Sequence, residues 1–238
     1  MPDLSKNPGR IAGMFDAIAP RYDFLNHLLS AGIDRHWRRL AIRSIGLTGR
    51  ERVLDLCTGT ADLALAARQA RPGAARVIGV DFAGAMLTIG MEKIRRAGLD
   101  RAISLVRGDA MRIPVADASV DAVTIAFGIR NVEDPEVACR DIARVLRPGG
   151  RLVILEFAIP TAPLFRAAYL SYFRHILPRI GRAISGHEAA YGYLPASVGA
   201  FASPDTFMNL LRKHGFHEVT ANSLTFGSVF LYTATRGS

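Results

Sequence analysis

Cysteine, lysine and long apolar runs are scarce in this chain of 238 residues, and each scarcity excludes something. Two cysteines, Cys57 and Cys139, cannot staple a small scaffold, so a packed core must hold the fold. No stretch reaches the ~18 uncharged apolar residues that a membrane span needs. The longest candidate, Leu152 to Leu170, is broken by Glu156, Pro160, Pro163 and Arg166. No charged-then-apolar leader with a small-residue cleavage site opens the sequence, so a cytoplasmic protein with free thiols is expected. Polar, low-complexity tracts are also lacking. With 50% hydrophobic residues the chain buries enough surface to offset its ordering entropy, which excludes intrinsic disorder. Its length suits one α/β domain.

Acidic residues are missing from particular places. The formal net charge is +9, with an excess of +4 in Met1 to Arg50 and +4 in Phe157 to His187, where four arginines stand without a carboxylate. The remainder is nearly neutral. Such a balance fits an anionic partner, whether nucleic acid, membrane surface or acidic substrate. The use of 27 arginines against 3 lysines is also what codon bias produces, but bias does not remove acids.

What is present is an alternation of strand and helix. The first fifty residues read as helical, with F-L-x-x-L-L in Arg21 to Leu29 and Asp34 as an N-cap before Arg35 to Ile45. From Arg52 the pattern becomes R-V-L-D-L, a turn, an Ala/Leu-rich helix from Ala61 to Ala70, and the strand A-R-V-I-G-V-D. A helix over Ala83–Ala97 and strands at Ile103–Arg107 and Val120–Phe127 follow. Pro135 to Leu146 is a helix ended by Pro148-Gly149-Gly150, and Arg151 to Phe157 is a fifth strand. This order implies a parallel sheet covered on both faces. A helix over Pro204–His214 precedes strands His217–Leu224 and Ser228–Thr235, whose short connection requires an antiparallel pair. Residues 159–203 read as a basic, aromatic insertion over the sheet. The expected organisation is a helical cap (1–50), a cofactor-binding core (51–158), the insertion (159–203), and a C-terminal helix with a hairpin (204–238).

In open parallel sheets ligands bind beyond the carboxyl ends of the strands. There the sequence places Asp55 to Asp62 (D-L-C-T-G-T-A-D), Asp81, and Gly108-Asp109-Ala110. The loop lacks G-x-G-x-x-G, which a dinucleotide's pyrophosphate needs, and is acidic instead. It suits a sulfonium or ammonium group. Asp55, Gly59 and Thr60 in the loop, Asp81 for a ribose diol, and Asp109 with Ala110 for an adenine are the candidate cofactor contacts. A tight turn with Asp62 as a cap is the plainer reading of the loop alone. No His/Cys/Asp cluster has metal-ligand spacing.

On these residues Arg52 to Phe157 resembles the class I S-adenosylmethionine-dependent methyltransferases. That resemblance implies a Rossmann-like seven-stranded sheet with the last strand antiparallel. Further motifs are similar to the menaquinone/ubiquinone biosynthesis C-methyltransferases: Tyr22 to Trp37 (Y-D-F-L-N-H-L-L-S-A-G-I-D-R-H-W), Phe127 to Val132 (F-G-I-R-N-V), Arg144 to Phe157, His175 to Gly181 and Tyr191 to Ser197. The family resemblance implies S-adenosyl-L-methionine as cofactor and methylation of a ring carbon on a polyprenyl quinol, demethylmenaquinol and also the corresponding ubiquinone precursor, which the sequence does not separate; the absence of a mitochondrial transit segment leans toward demethylmenaquinol. It gives Arg130 and Asn131 a place beside the methyl group and lets Tyr22 cap the site. Departures are Ala61 for Gly, harmless if its φ is negative, Ala126 for Ser, Leu25 for Met, Ala158 for Ser, and Gly192 for Arg.

Arg130 is expected to stabilise a phenolate rather than act as base, because a guanidinium stays protonated; a structural ion pair is the alternative. Tyr22 can equally be a packing residue. His36 and Trp37 read as core and surface positions, His175 as a weak acid/base candidate, and His187 as solvated. Nucleic acid is disfavoured as partner, since no Asn/Asp-Pro-Pro-aromatic motif follows strand four and neither cysteine is placed to attack a pyrimidine. The competing readings are a methyltransferase of another phenol or lipid, and a non-catalytic subunit of a quinone-biosynthesis assembly. The charge is expected to hold the protein peripherally on the inner face of an anionic membrane, with Phe165, Tyr169, Tyr172 and Phe173 in the interface beside Arg166 and Arg174. A homo-oligomer is left open.

Overall fold

The computed structural model describes residues 5–70, 76–176, 179 and 188–238. Seven strands form one sheet in the order β3-β2-β1-β4-β5-β7-β6. They are β1 (Arg52–Leu56), β2 (Arg76–Asp81), β3 (Ile103–Arg107), β4 (Val120–Ala126), β5 (Leu146–Phe157), β6 (Phe216–Leu224) and β7 (Val229–Arg236). β1 to β5 pair in parallel, and β7 is antiparallel to both β5 and β6. The central strands are buried on both faces, as their unbroken apolar runs require.

The helices are α1 (Pro8–Leu29), α2 (Asp34–Ile45), α3 (Asp62–Ala70), α4 (Gly84–Arg96), α5 (Pro135–Val145), α6 (Pro163–Ser171), α7 (Glu188–Ala200) and α8 (Pro204–Lys213). Their starts are written in the sequence. Asn7, Asp134 and Ser203 accept backbone N–H groups ahead of prolines at the first helical position. One apolar cluster packs α5 and α8 on one face of the sheet; a second packs α2, α3 and α4 on the other.

Three local expectations change. Asp34 does not cap α2: it is the helix's first residue, and its buried carboxylate instead takes the Ser30 hydroxyl (2.8 Å), His27 Nδ1 (2.7 Å) and Arg38. β5 begins at Leu146 rather than after the Pro-Gly-Gly turn, because the pairing with β4 slips between Val120 and Ala122 and the extra residues run on as an irregular strand. Ala61 has φ +65°, so the departure from glycine is not free: its buried methyl sits in a left-handed backbone, a cost of about 1 kcal/mol.

α1 lies over the carboxyl ends of β1 and β2. Asp16 accepts the Ala85 N–H at the start of α4 (2.8 Å). Asp23 takes the Thr60 hydroxyl (2.5 Å) and Lys93 Nζ (2.8 Å), and Lys93 also pairs with Asp62. One lysine therefore joins α1, α3 and α4. Of the insertion, α6, a π-helical turn (Tyr172–Ile176) and α7 are described. The expectations for His187 and for most of Pro178 to Gly181 lie outside the described residues, as does the Arg174 side chain.

Candidate active site

The strand order reverses between β1 and β4, and the site lies where their carboxyl ends part. Two cavities meet there, sharing Phe15, Tyr22 and Phe127 as walls. The larger encloses about 240 Å³. Nine of its lining residues are aromatic, so its shape and chemistry suit a flat, largely apolar ring. Phe127 and Phe157 stack at 4.3 Å, and Trp37 packs edgewise on Phe157 while its indole N–H donates to Thr225 (2.9 Å). Trp37 is thus a wall of the cavity rather than a surface or plain core residue. Tyr169, Tyr172 and Phe173 also line it. This differs from their expected place in a membrane interface: Tyr169 on α6, and Tyr172 and Phe173 in the π-turn, face the cavity instead.

Arg130 enters this cavity from a 3₁₀ turn (Ile129–Asn131) just past β4. It is 6% exposed. Its backbone N–H donates to Glu156 Oε2 (3.1 Å), its Nη1 to Glu156 Oε1 (2.8 Å) and to the Phe127 carbonyl, and the guanidinium lies 5.4 Å from the Phe157 ring centre. The Phe127 backbone is left-handed (φ +59°), an uncommon state for a bulky residue, and its carbonyl is held by the Arg130 guanidinium. The ion-pair reading of Arg130 is therefore realised, in a residue that also lines the cavity. Glu156, fully buried at the end of β5, was not singled out from the sequence. Its signal was there: a carboxylate inside the otherwise apolar run R-L-V-I-L-E-F. Asp34 and Arg38 form a second buried charged pair at the cavity wall and were likewise missed as site residues.

The smaller cavity, about 40 Å³, is the crevice under α1. Asp81 lines it, with Gly59 and Asn131. Asp81 receives N–H groups from Gly59 (2.8 Å) and Ala83 (2.9 Å), which leaves further lone pairs on each oxygen. Gly59 has φ +55° with nothing near the site of a Cβ, so the turn needs glycine and leaves open space above its backbone. Asn131 Oδ1 is buried without a partner. The Cys57 thiol is held far above its ordinary range by burial, and then by Asp81, Asp55, Glu156 and Asp109. Burial is the main cause, and the nearby carboxylates add a negative potential at the loop. It fits a sulfonium or ammonium cation and opposes a pyrophosphate.

Other candidates stand behind these. Asp55 is buried beneath the loop, where it accepts the hydroxyls of Thr58 (2.5 Å) and Thr124 (2.8 Å); burial pushes its carboxyl up to about 6 against those bonds. Thr60 turns its hydroxyl to Asp23. Asp109 receives the Met111 N–H (2.9 Å), and neither it nor the buried Ala110 lines either cavity. Tyr22 walls both cavities, and burial raises its phenol, so it stays protonated. His36 and His175 are exposed and outside the cavity lining. Gly192 leaves open space where the family's arginine would start.

Comparison with known proteins shows the family and the fold. The model of the ubiE/COQ5 methyltransferase family matches residues 4–236. A ubiquinone/menaquinone biosynthesis C-methyltransferase from Geobacter sp. (strain M21) is 45% identical over 233 residues, 98% of this chain and 99% of the relative. A demethylmenaquinone methyltransferase from Thermus thermophilus is 46% identical over 223 residues, 94% of this chain and all of the relative. Among solved structures, a protein of Methanococcus maripaludis described as a candidate S-adenosyl-L-methionine-dependent methyltransferase superposes with a TM-score of 0.65 at 20% identity, covering 94% of each chain, which speaks for the fold.

Two measurements test the crevice. Asp81→Asn should weaken binding of S-adenosylhomocysteine about 10–100-fold in calorimetry, as loss of charge-assisted bonds to a diol would; wild-type affinity would remove Asp81 from the site. Asp55 is raised in the folded state, so its contribution to stability is full below its unfolded pKa near 4 and lost as pH rises to about 6. Asp55→Asn should therefore gain on the wild type through that window, by at most about 3 kcal/mol, in urea titrations at stepped pH. A difference that does not change with pH would contradict this assignment.

Proposed function

The chain belongs to the ubiE/COQ5 methyltransferase family, and from that premise we propose that it methylates a ring carbon of a polyprenyl quinol, demethylmenaquinol, using S-adenosyl-L-methionine. The observation that carries this reading is the joining of two unlike cavities. A crevice lined by Asp81 suits the cationic cofactor, and it shares Phe15, Tyr22 and Phe127 as walls with an aromatic chamber lined by Arg130. In this reading residues 1–50 and the insertion form the substrate cap over a core of residues 51–158.

An aromatic carbon is a weak nucleophile until an adjacent hydroxyl ionises, so the substrate is the reduced quinol. When bound, S-adenosyl-L-methionine would supply an electrophilic methyl group on positively charged sulfur, with the phenol proton and, after transfer, the ring C–H proton both passing to water. The protein's part is placement and electrostatics. Phe127 and Phe157 hold the ring. Arg130 stays charged and, anchored by Glu156 and the Phe127 carbonyl, lowers the cost of the phenolate in a site nearly closed to water. Asp81 and Asn131 would hold the cofactor's polar atoms, Asn131 Oδ1 being a buried acceptor that lacks a protein partner. Tyr22, neutral and buried, separates the two chambers.

The substrate's tail lives in a bilayer, and the rim of the cavity suits that surface. Leu164 (87%) and Phe226 (76%) are among the most exposed large apolar side chains, and Phe165 and Phe226 touch with ring centres 5.0 Å apart. Thr225 and Phe226 hold left-handed backbones while Thr225 lines the cavity, so the turn presents Phe226 outward at its mouth. Arg166 is exposed on α6, which has no acidic residue. Among the described residues no helix is long and apolar enough to cross a membrane, so we place contact at this rim and not through a span.

Arg130→Lys keeps the charge and loses the fork, and turnover of demethylmenaquinol, read by mass spectrometry, should fall about 10²-fold with S-adenosylhomocysteine affinity unchanged. Unaltered turnover would remove Arg130 from the chemistry, and no turnover by wild type would favour a non-catalytic subunit. In flotation assays the protein should rise with anionic liposomes more than with neutral ones, and Leu164→Ser with Phe226→Ser should lower the bound fraction. Equal binding to both lipids would return the basic excess to codon usage.

A further inference from the structure

Buried polar atoms rarely lack a partner, and each one that does costs about 1–3 kcal/mol. In this protein three of them line the aromatic cavity: Arg130 Nε, Tyr169 Oη and Tyr193 Oη. They come from three separate elements. Arg130 follows β4, Tyr169 lies on α6, and Tyr193 lies on α7. Tyr169 and Tyr193 line the same cavity as Arg130.

We propose that Tyr169 and Tyr193, together with Arg130, form a subsite for one ring oxygen of the quinol, and that the insertion reads the substrate through these two hydroxyls. This rests on the quinol reading above and extends it to residues of the insertion. The phenol of each tyrosine is raised by burial, which keeps it protonated as a donor. A phenolate oxygen accepts up to three hydrogen bonds, and one guanidinium N–H with two hydroxyls supplies three. The two tyrosines add donors without adding charge. That matters where the Arg130 charge is already shared with the buried Glu156. Tyr169 is fixed by its ring contact with Phe173 (4.2 Å), and the Tyr193 ring lies 5.8 Å from the Arg10 guanidinium carbon on α1. The hydroxyls are therefore held in place before any ligand arrives, as preorganised donors must be.

A polar group left unpaired until substrate binds also rejects rings that lack the matching oxygen. A hydrocarbon ring of the same shape would enter the chamber and leave all three donors unsatisfied.

Trp37, the chain's single tryptophan, lines the same cavity, so its fluorescence reports ring binding without turnover. The experiment titrates wild type, Tyr169→Phe, Tyr193→Phe and the double variant with 1,4-dihydroxynaphthalene under argon, and with naphthalene. Wild type should bind the diol more tightly than the hydrocarbon. Each variant should lose about tenfold in diol affinity, the pair about 10²-fold, with naphthalene affinity unchanged. Because the hydroxyls lack partners in the unliganded protein, thermal midpoints should stay level or rise. Diol affinity unchanged in the variants, equal losses for both ligands, or midpoints lowered by several degrees would each overturn the proposal. Quinol turnover is assayed on the same samples. Wild type that discriminates the diol but methylates no quinol would sink the proposed function and leave the subsite standing.

Discussion

The buried ion pair between Arg130 and Glu156 is the constraint on which the site depends. It crosses from the end of β4 to the end of β5, and Glu156 takes the Arg130 backbone N–H as well as its guanidinium. Removing two charges from water is expensive, and such a pair is weak support for stability alone, because apolar residues of similar volume often do as well. Its value is positional. With Glu156 fixed in a strand, the guanidinium cannot swing, and its hold on the Phe127 carbonyl accompanies a backbone state that a phenylalanine rarely adopts. The stacked Phe127–Phe157 wall then follows from the same few residues.

Around this pair the protein separates two electrostatic environments a few side chains apart. Asp81 is the carboxylate that lines the crevice among the described residues, while the adjoining chamber is aromatic and lined by Arg130 and Arg38. A methyl transfer from a cation to a phenolate ring needs both, in contact but not mixed. α1 supplies the partition through Phe15 and Tyr22. It is pinned by backbone and side-chain bonds from Asp16 and Asp23, with Lys93 as a compact cation among three carriers of negative charge or oxygen.

The basic excess divides in the folded protein. Arg38, from the first basic segment, is spent internally on Asp34 and Asp62, while Arg166 stays outside on an acid-free helix. Net charge by segment therefore overstates what a surface sees. Leu164 and Phe226 are among the most exposed large apolar side chains of the described residues.

Much of this was legible in the chain itself. The alternation of apolar runs and capped helices specified the parallel sheet, since period, caps and prolines act locally, and the acidic strand ends at Asp55, Asp81 and Asp109 could be read because strand ends in such sheets gather at one edge. The motif around Arg130 and Asn131 could be read for the same reason. What the sequence left open were contacts between residues distant along the chain. Asp55 proved to serve the loop from beneath, Thr60 to bind α1, and Ala61 to occupy a left-handed backbone, all of which depend on how α1 and β4 close over the turn. Tyr169, Tyr172 and Phe173 carry the composition of an interface, yet they line the cavity. Local patterning decides which elements form; which face of an aromatic helix meets ligand is decided by tertiary packing, because burial depends on every neighbour at once.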